Sequence, residues 1–199
     1  MDFIKKNIKL IIGIVIVLIV ALFGYNYYIS STEKDSRLLK KLYENLEGID
    51  SNEVIKLKMP ITNNITLVEQ EKIFDVLNSK SGVVVFASPT CEICRNIIVP
   101  LIETTKEKNV RLYYIEAGNY SEDDATYQRL LKQLDKYLPA TSEGEKYLMM
   151  PDVYFLKDGK IQSHYFGAVD TLGVFPRALS DEENEKLKTI YRTHIEMIK

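Results

Sequence analysis

The chain has 199 residues, 46% hydrophobic and 27% charged, which is enough to bury one good core and too apolar for a largely disordered protein. Its 26 basic and 28 acidic side chains leave a net charge of −2, so nothing in the balance points to nucleic acid. With only two cysteines, Cys91 and Cys94, a multi-bridge secreted scaffold is excluded.

From Leu10 to Ile29 the chain carries no charge. As a helix, those residues would span about 30 Å, the thickness of a bilayer's hydrocarbon core. Lys5, Lys6 and Lys9 precede the run, and Glu33, Lys34 and Asp35 follow it without basic excess. The positive-inside rule therefore predicts a cytoplasmic segment 1–9, a transmembrane anchor 10–29 and everything after about residue 30 outside the cell membrane. Tyr25, Tyr27 and Tyr28 fall where aromatic rings prefer the outer interface. A cleaved signal would have a shorter apolar region and a small-x-small site, which the bulky "ALFGYNYYISS" does not offer. Leu38, Leu39, Leu42, Tyr43 and Leu46 then recur at helical spacing, so 30–51 reads as an amphipathic stalk packed on the domain or on lipid. The domain is placed at 52–199.

Within it, "EVIKLKM" (53–59) alternates like a strand, and Pro60 and Asn63-Asn64 break the chain. Residues 66–77 read as a helix, with Thr66 and Glu69 in capping-box spacing. "GVVVFAS" (82–88) has the uninterrupted β-branched pattern of a strand buried on both faces. From Cys91 to about Lys108 the apolar residues recur with helical period, so Cys91 opens a helix. "VRLYYIEA" (110–117) is a further strand, and 121–138 a helix starting at Ser121 and three acids. Two strands within 151–169 turn at Asp158-Gly159 as a hairpin. The last helix starts at Ser180, with Glu183 in capping-box spacing, and aligns Leu187, Ile190, Tyr191, Ile195 and Ile198. The predicted order is βαβαβαββα.

Two cysteines separated by two residues admit three readings: a redox pair, part of a metal site, or inert buried thiols. A zinc site needs about four ligands, and the only histidines are His164 and His194, so no metal is expected. Inert thiols would gain nothing from the start of a helix. A thiolate there faces unpaired backbone N–H groups and the positive end of the helix dipole, which makes Cys91 the candidate nucleophile. Cys94, one turn deeper on the same face, is the candidate resolving thiol, and the two would form the redox-active disulfide. Glu92 places a like charge beside Cys91, whereas Arg95 places an opposite one, so both are candidate tuning residues.

"VVVFASPTCEICR", "MMPDVYFLKDGKI" and "YFGAV", in that order, resemble the thioredoxin superfamily over roughly residues 53–199. "SPTCEICRN" on a short anchored chain is similar to the small surface-exposed thioredoxin-like proteins of Gram-positive bacteria, including the bacteriocin transport accessory proteins. The resemblance implies an α/β fold with a central mixed sheet flanked by helices, and a thiol-disulfide oxidoreductase acting outside the membrane on protein thiols and disulfides together with a further redox partner. It implies that Pro151 is a cis-proline facing the cysteines, so that Thr90, Met150 and Pro151 shape a substrate groove in which an extended segment adds as a strand. No organic cofactor is implied, because the two sulfurs carry the electrons. Three departures stand out: Val85 occupies the position of the family's buried acid, Thr90 that of its tryptophan, and Pro100 lies one residue later than the usual helix proline. The first two favour the alternative of a non-catalytic accessory module that binds a transporter or a secreted peptide.

Overall fold

The computed structural model describes residues 2–44, 57–118, 120–121, 123–166 and 177–199. Helix α1 (Asp2–Thr32) is followed, after a turn at Glu33, by α2 (Lys34–Glu44). The remaining elements are β1 (Ile65–Leu67), a 3₁₀ turn (Gln70–Lys72), α3 (Ile73–Ser79), β2 (Gly82–Ala87), α4 (Glu92–Glu107), β3 (Leu112–Glu116), α5 (Ala125–Leu134), β4 (Asp152–Lys157), β5 (Lys160–Phe166) and α6 (Asp181–Glu196).

Five strands form one mixed sheet in the order β1-β3-β2-β4-β5. The pairs β1/β3 and β3/β2 are parallel, whereas β2/β4 and β4/β5 are antiparallel. All six residues of β2 are buried, as its β-branched run predicts for a central strand covered on both faces. Alternation along the strands then divides the core. Val83, Val85, Val153 and Phe155 pack with Leu39 and Tyr43 of α2, Ile97 and Leu101 of α4 and Leu187 and Tyr191 of α6. Val84, Phe86, Tyr154 and Leu156 pack with Phe74 and Leu77 of α3 and Leu130 and Leu134 of α5. Helices therefore cover both faces of a central mixed sheet, the architecture the resemblance implies.

Several elements match their sequence signals closely. Ser180 and Glu183 form the reciprocal capping box at the start of α6. Asp158 and Gly159 both take positive φ, 49° and 70°, as the tight hairpin turn requires. A Cβ at Gly159 would lie 2.1 Å from the carbonyl oxygen of Asn78, so glycine is needed there for space as well.

The first strand differs from its prediction. Residues 53–56 lie outside the described ones, and Leu57 to Met59 form no strand. The strand is Ile65–Leu67, inside the segment predicted to open a helix. Asn64, which reads as a chain breaker, is buried and sets this strand's register. Its carbonyl accepts the Leu112 N–H (2.8 Å), and its amide donates to Val110 O (2.9 Å) and Thr105 Oγ1 (3.1 Å). Pairing with β3 holds Thr66 extended, so the Thr66/Glu69 capping box does not form. Glu69 pairs with Lys72 instead (2.7 Å). The 121–138 helix is also shorter than predicted. It starts after Asp124, whose carboxylate caps the N–H groups of Thr126 and Tyr127, and it ends at Leu134.

Helix α2 is part of the core. Leu39 and Tyr43 are fully buried, and each such burial stabilises by about 1.5–3 kcal/mol. Leu38 and Leu42 face outward, and Leu46 lies outside the described residues. The described large apolar side chains of α1, from Ile12 to Tyr28, are exposed, Val17 at 67% and Phe23 at 73%. Among the described residues no helix is long and apolar enough to cross a membrane. Of the predicted anchor, the side-chain environments of Leu10, Ile11, Gly13, Asn26 and Ile29 lie outside the described residues. The last part of "YFGAV", residues 167–169, and Glu122 of the acidic run also lie outside the described residues.

Candidate active site at Cys91 and Cys94

The central strand delivers the cysteines. β2 ends at Ala87, Ser88 to Thr90 make a turn closed by the Cys91 N–H donating to Ser88 O (3.2 Å), and Cys91 is the N-cap of α4. Its backbone is extended, with φ −83° and ψ 116°, which aims the side chain back over the first turn. Cys91 Sγ accepts the N–H of Cys94 at 3.2 Å, the contact that a serine or aspartate makes at a helix N-cap. The same contact would stabilise a sulfur anion.

Cys91 and Cys94 are joined as a disulfide with their Cα atoms 5.2 Å apart, within the usual range for such bridges. Their exposures differ: Cys94 is fully buried within the core cluster that holds Ile97, Ile98 and Val85, whereas Cys91 is only partly buried. A thiolate arriving from outside therefore meets the Cys91 sulfur and not that of Cys94.

Glu92 is exposed at the first helical position, where its charge complements the dipole of α4. Thr90 is exposed, its hydroxyl 3.1 Å from Ser88 Oγ. The Met150–Pro151 bond is cis, and Met150 is half-buried between the two core clusters. Asp152 pairs with Phe86 across β4/β2, which sets Pro151 beside Ala87 at the end of the sheet from which the cysteine turn emerges. Helix α4 runs unbroken through Pro100, and the Pro100 carbonyl accepts from Thr104 Oγ1 (2.8 Å).

Arg95 is only 4% exposed. Its guanidinium donates to Tyr43 O at the end of α2 (3.0 Å) and to Pro89 O in the cysteine turn (3.1 Å), and it lies over the Tyr43 ring. Burial pulls its pKa below the ordinary arginine value. The next residue, Asn96, donates to Arg177 O (2.9 Å). Consecutive polar side chains thus tie the first turn of α4 to two distant parts of the chain.

Other groups near the turn carry no signal in sequence spacing. Tyr114 OH donates to Ala87 O, and it lies 3.2 Å from Glu116 Oε2 and 3.4 Å from Tyr43 OH. Burial pushes both phenols well above their ordinary pKa. Val85 is fully buried in apolar surroundings, so no acid stands at that position. A buried acid does exist at Asp152, which accepts from Tyr154 OH (2.7 Å) and pairs with His164 Nε2. Burial raises its pKa against the opposing pull of His164. Alternation along β4 puts Asp152 on the Tyr154 face, so the sheet separates it from Cys94. His164 stacks on Tyr154, and His194 stacks on Phe155. Among the described residues no three His, Cys, Asp or Glu side chains cluster as a metal site would require.

No family model matches the chain, and no curated protein matches it. Solved structures similar to it over part of its length include two thioredoxins. Thioredoxin f2 of Chlamydomonas reinhardtii aligns at 16% identity over 52% of this chain and 84% of its own, with a TM-score of 0.37. The thioredoxin of Aeropyrum pernix aligns at 21% identity over 62% and 85%, with a TM-score of 0.36. The chemistry of the site is argued from its own geometry and not from these likenesses.

Proposed function

We propose that this chain is a thioredoxin-like thiol-disulfide oxidoreductase, anchored in the cell membrane by residues 10–29 and acting on protein thiols and disulfides outside it. The observation that carries the chemistry is the asymmetry of the pair: a partly exposed sulfur at a helix N-cap, bonded to a fully buried one. In the reducing direction the Cys91 thiolate attacks a client disulfide, forming a mixed disulfide and releasing one client thiolate. The Cys94 thiolate then attacks Cys91 Sγ, closes the 91–94 bridge and releases the second client thiolate. Two electrons pass to the client, and the oxidising direction reverses each step.

Thr90, Met150 and Pro151 would border the client segment, since Pro151 and the cysteine turn share one end of the sheet. The anchor is supported by the charge-free run after Lys5, Lys6 and Lys9 and by the exposed apolar side chains of α1. The buried Val85 favours a second reading, a binding platform with a static disulfide, because that position offers no carboxylate to take the proton of Cys94. Cys94→Ser separates the two. Mixed disulfides accumulating through Cys91 are the expected result, whereas unchanged partner binding without any covalent adduct would favour the platform. Protease digestion of sealed cells should remove the domain while sparing segment 1–9.

A further inference from the structure

Only residues 30–33 lie between the predicted anchor and helix α2. Helix α1 ends at Thr32 and α2 starts at Lys34. Glu33 alone forms the joint: the Arg37 N–H donates to its carbonyl (3.0 Å) and the Arg37 and Glu33 side chains pair (2.6 Å), so the first turn of α2 is closed on the joint residue. Helix α2 is then fastened to the domain along its length. Asp35 Oδ2 accepts the Leu67 N–H (3.0 Å), Ser36 Oγ accepts that of Thr62 (3.0 Å), and Leu39 and Tyr43 are buried in the core. Its last described turn ends against the site itself, where Arg95 bonds Tyr43 O and Pro89 O together.

We infer that α1 and α2 act as a ruler that holds the Cys91 sulfur close to the outer membrane surface, so that the client class is polypeptides tethered in the same membrane with cysteines near the bilayer. This inference rests on the anchored oxidoreductase reading above. Fourteen residues separate Ile29, the end of the apolar run, from Tyr43. At 1.5 Å per residue the path along the helix is at most about 21 Å. A disordered tether would let the domain sweep a far larger volume. A helix joined to a docked helix restricts the sulfur to a shell next to the bilayer, which raises its effective concentration for cysteines in that shell and lowers it for those beyond.

The test uses full-length Cys94→Ser protein in liposomes together with single-span reporters. Each reporter carries a disulfide on a rigid helical stalk, about 20 Å or about 80 Å above the membrane. The Cys91 thiolate attacks the reporter disulfide, leaving one mixed disulfide and one reporter thiolate, which is read on a non-reducing gel. The near reporter should be trapped at least ten times faster than the far one. An 80-residue Gly/Ser insertion between Thr32 and Glu33, with an r.m.s. reach of about 50 Å, should abolish that preference. Equal trapping of both reporters by the uninserted protein, or an unchanged preference after insertion, would overturn the ruler. Failure to form an adduct even with a soluble disulfide peptide would overturn the proposed chemistry instead. Release of the protein from the liposomes by a salt wash would overturn the anchor.

Discussion

Arg95→Met separates two roles for a cation four residues after Cys91. Helical spacing offers Arg95 as an electrostatic partner of the Cys91 thiolate, while in the structure its guanidinium donates to Tyr43 O and Pro89 O. A hydrogen bond from a charged donor contributes about 1.5–3 kcal/mol, and an orphaned buried carbonyl costs about 1–3 kcal/mol. Both bonds are lost with one side chain, so their costs are not additive, and methionine recovers some of the packing. Counting one bond and one orphaned carbonyl gives a loss of about 3 kcal/mol. If Arg95 is a tether, that loss is the same for oxidised and reduced protein, because neither acceptor is a sulfur. Denaturant titration of both forms measures it, and equilibration of the 91/94 couple with glutathione should then give an unchanged potential. If Arg95 instead stabilises the thiolate, its removal weakens the reduced form alone, and each 1.4 kcal/mol lowers the potential by about 30 mV. A fall of that size, with stability lost only on reduction, would refute the tether. Arg95→Lys should recover at most part of the stability, since an ammonium lacks the planar face that lies over the Tyr43 ring.

Glu92→Gln removes the exposed carboxylate next to Cys91, so the alkylation pKa of Cys91 in reduced protein should fall by a fraction of a unit; an unchanged value removes Glu92 from the tuning of the site. Burial holds the pKa of His194 below its ordinary value, and its Nδ1 is buried without a hydrogen-bond partner. A depressed histidine contributes stability that is fully present above the unfolded pKa near 6.5 and is lost as pH falls through the folded value, so His194→Phe should stabilise more at pH 5 than at pH 8 in thermal melts. Equal shifts at the two pH values would contradict that linkage. Hydrogen bonds from Arg177 and the Ser180 N–H lower the Glu183 pKa to about 2. Its contribution is present above the unfolded carboxylate pKa of about 4.3 and disappears as pH falls through about 2, so Glu183→Gln should flatten the loss of melting temperature between those values.

Sequence alone determined whatever depends on neighbours a few residues apart. The Cys91–Cys94 pair at a strand-to-helix junction, the Ser180/Glu183 capping box and the Asp158-Gly159 turn are local, because caps and tight turns are set by hydrogen bonds and φ preferences within one turn of chain. Tertiary structure decided where pairing partners lie far apart. Thr66 was pulled into a strand because β3 offered it a ladder, although its spacing to Glu69 is that of a helix start. Arg95 reaches carbonyls of Tyr43 and Pro89, 52 and 6 residues away, since a buried guanidinium takes acceptors that only the folded chain presents. The fold put its buried acid at Asp152 on the far face of the sheet from the cysteines, a placement that alternation along β4 sets only once its register with β2 is known.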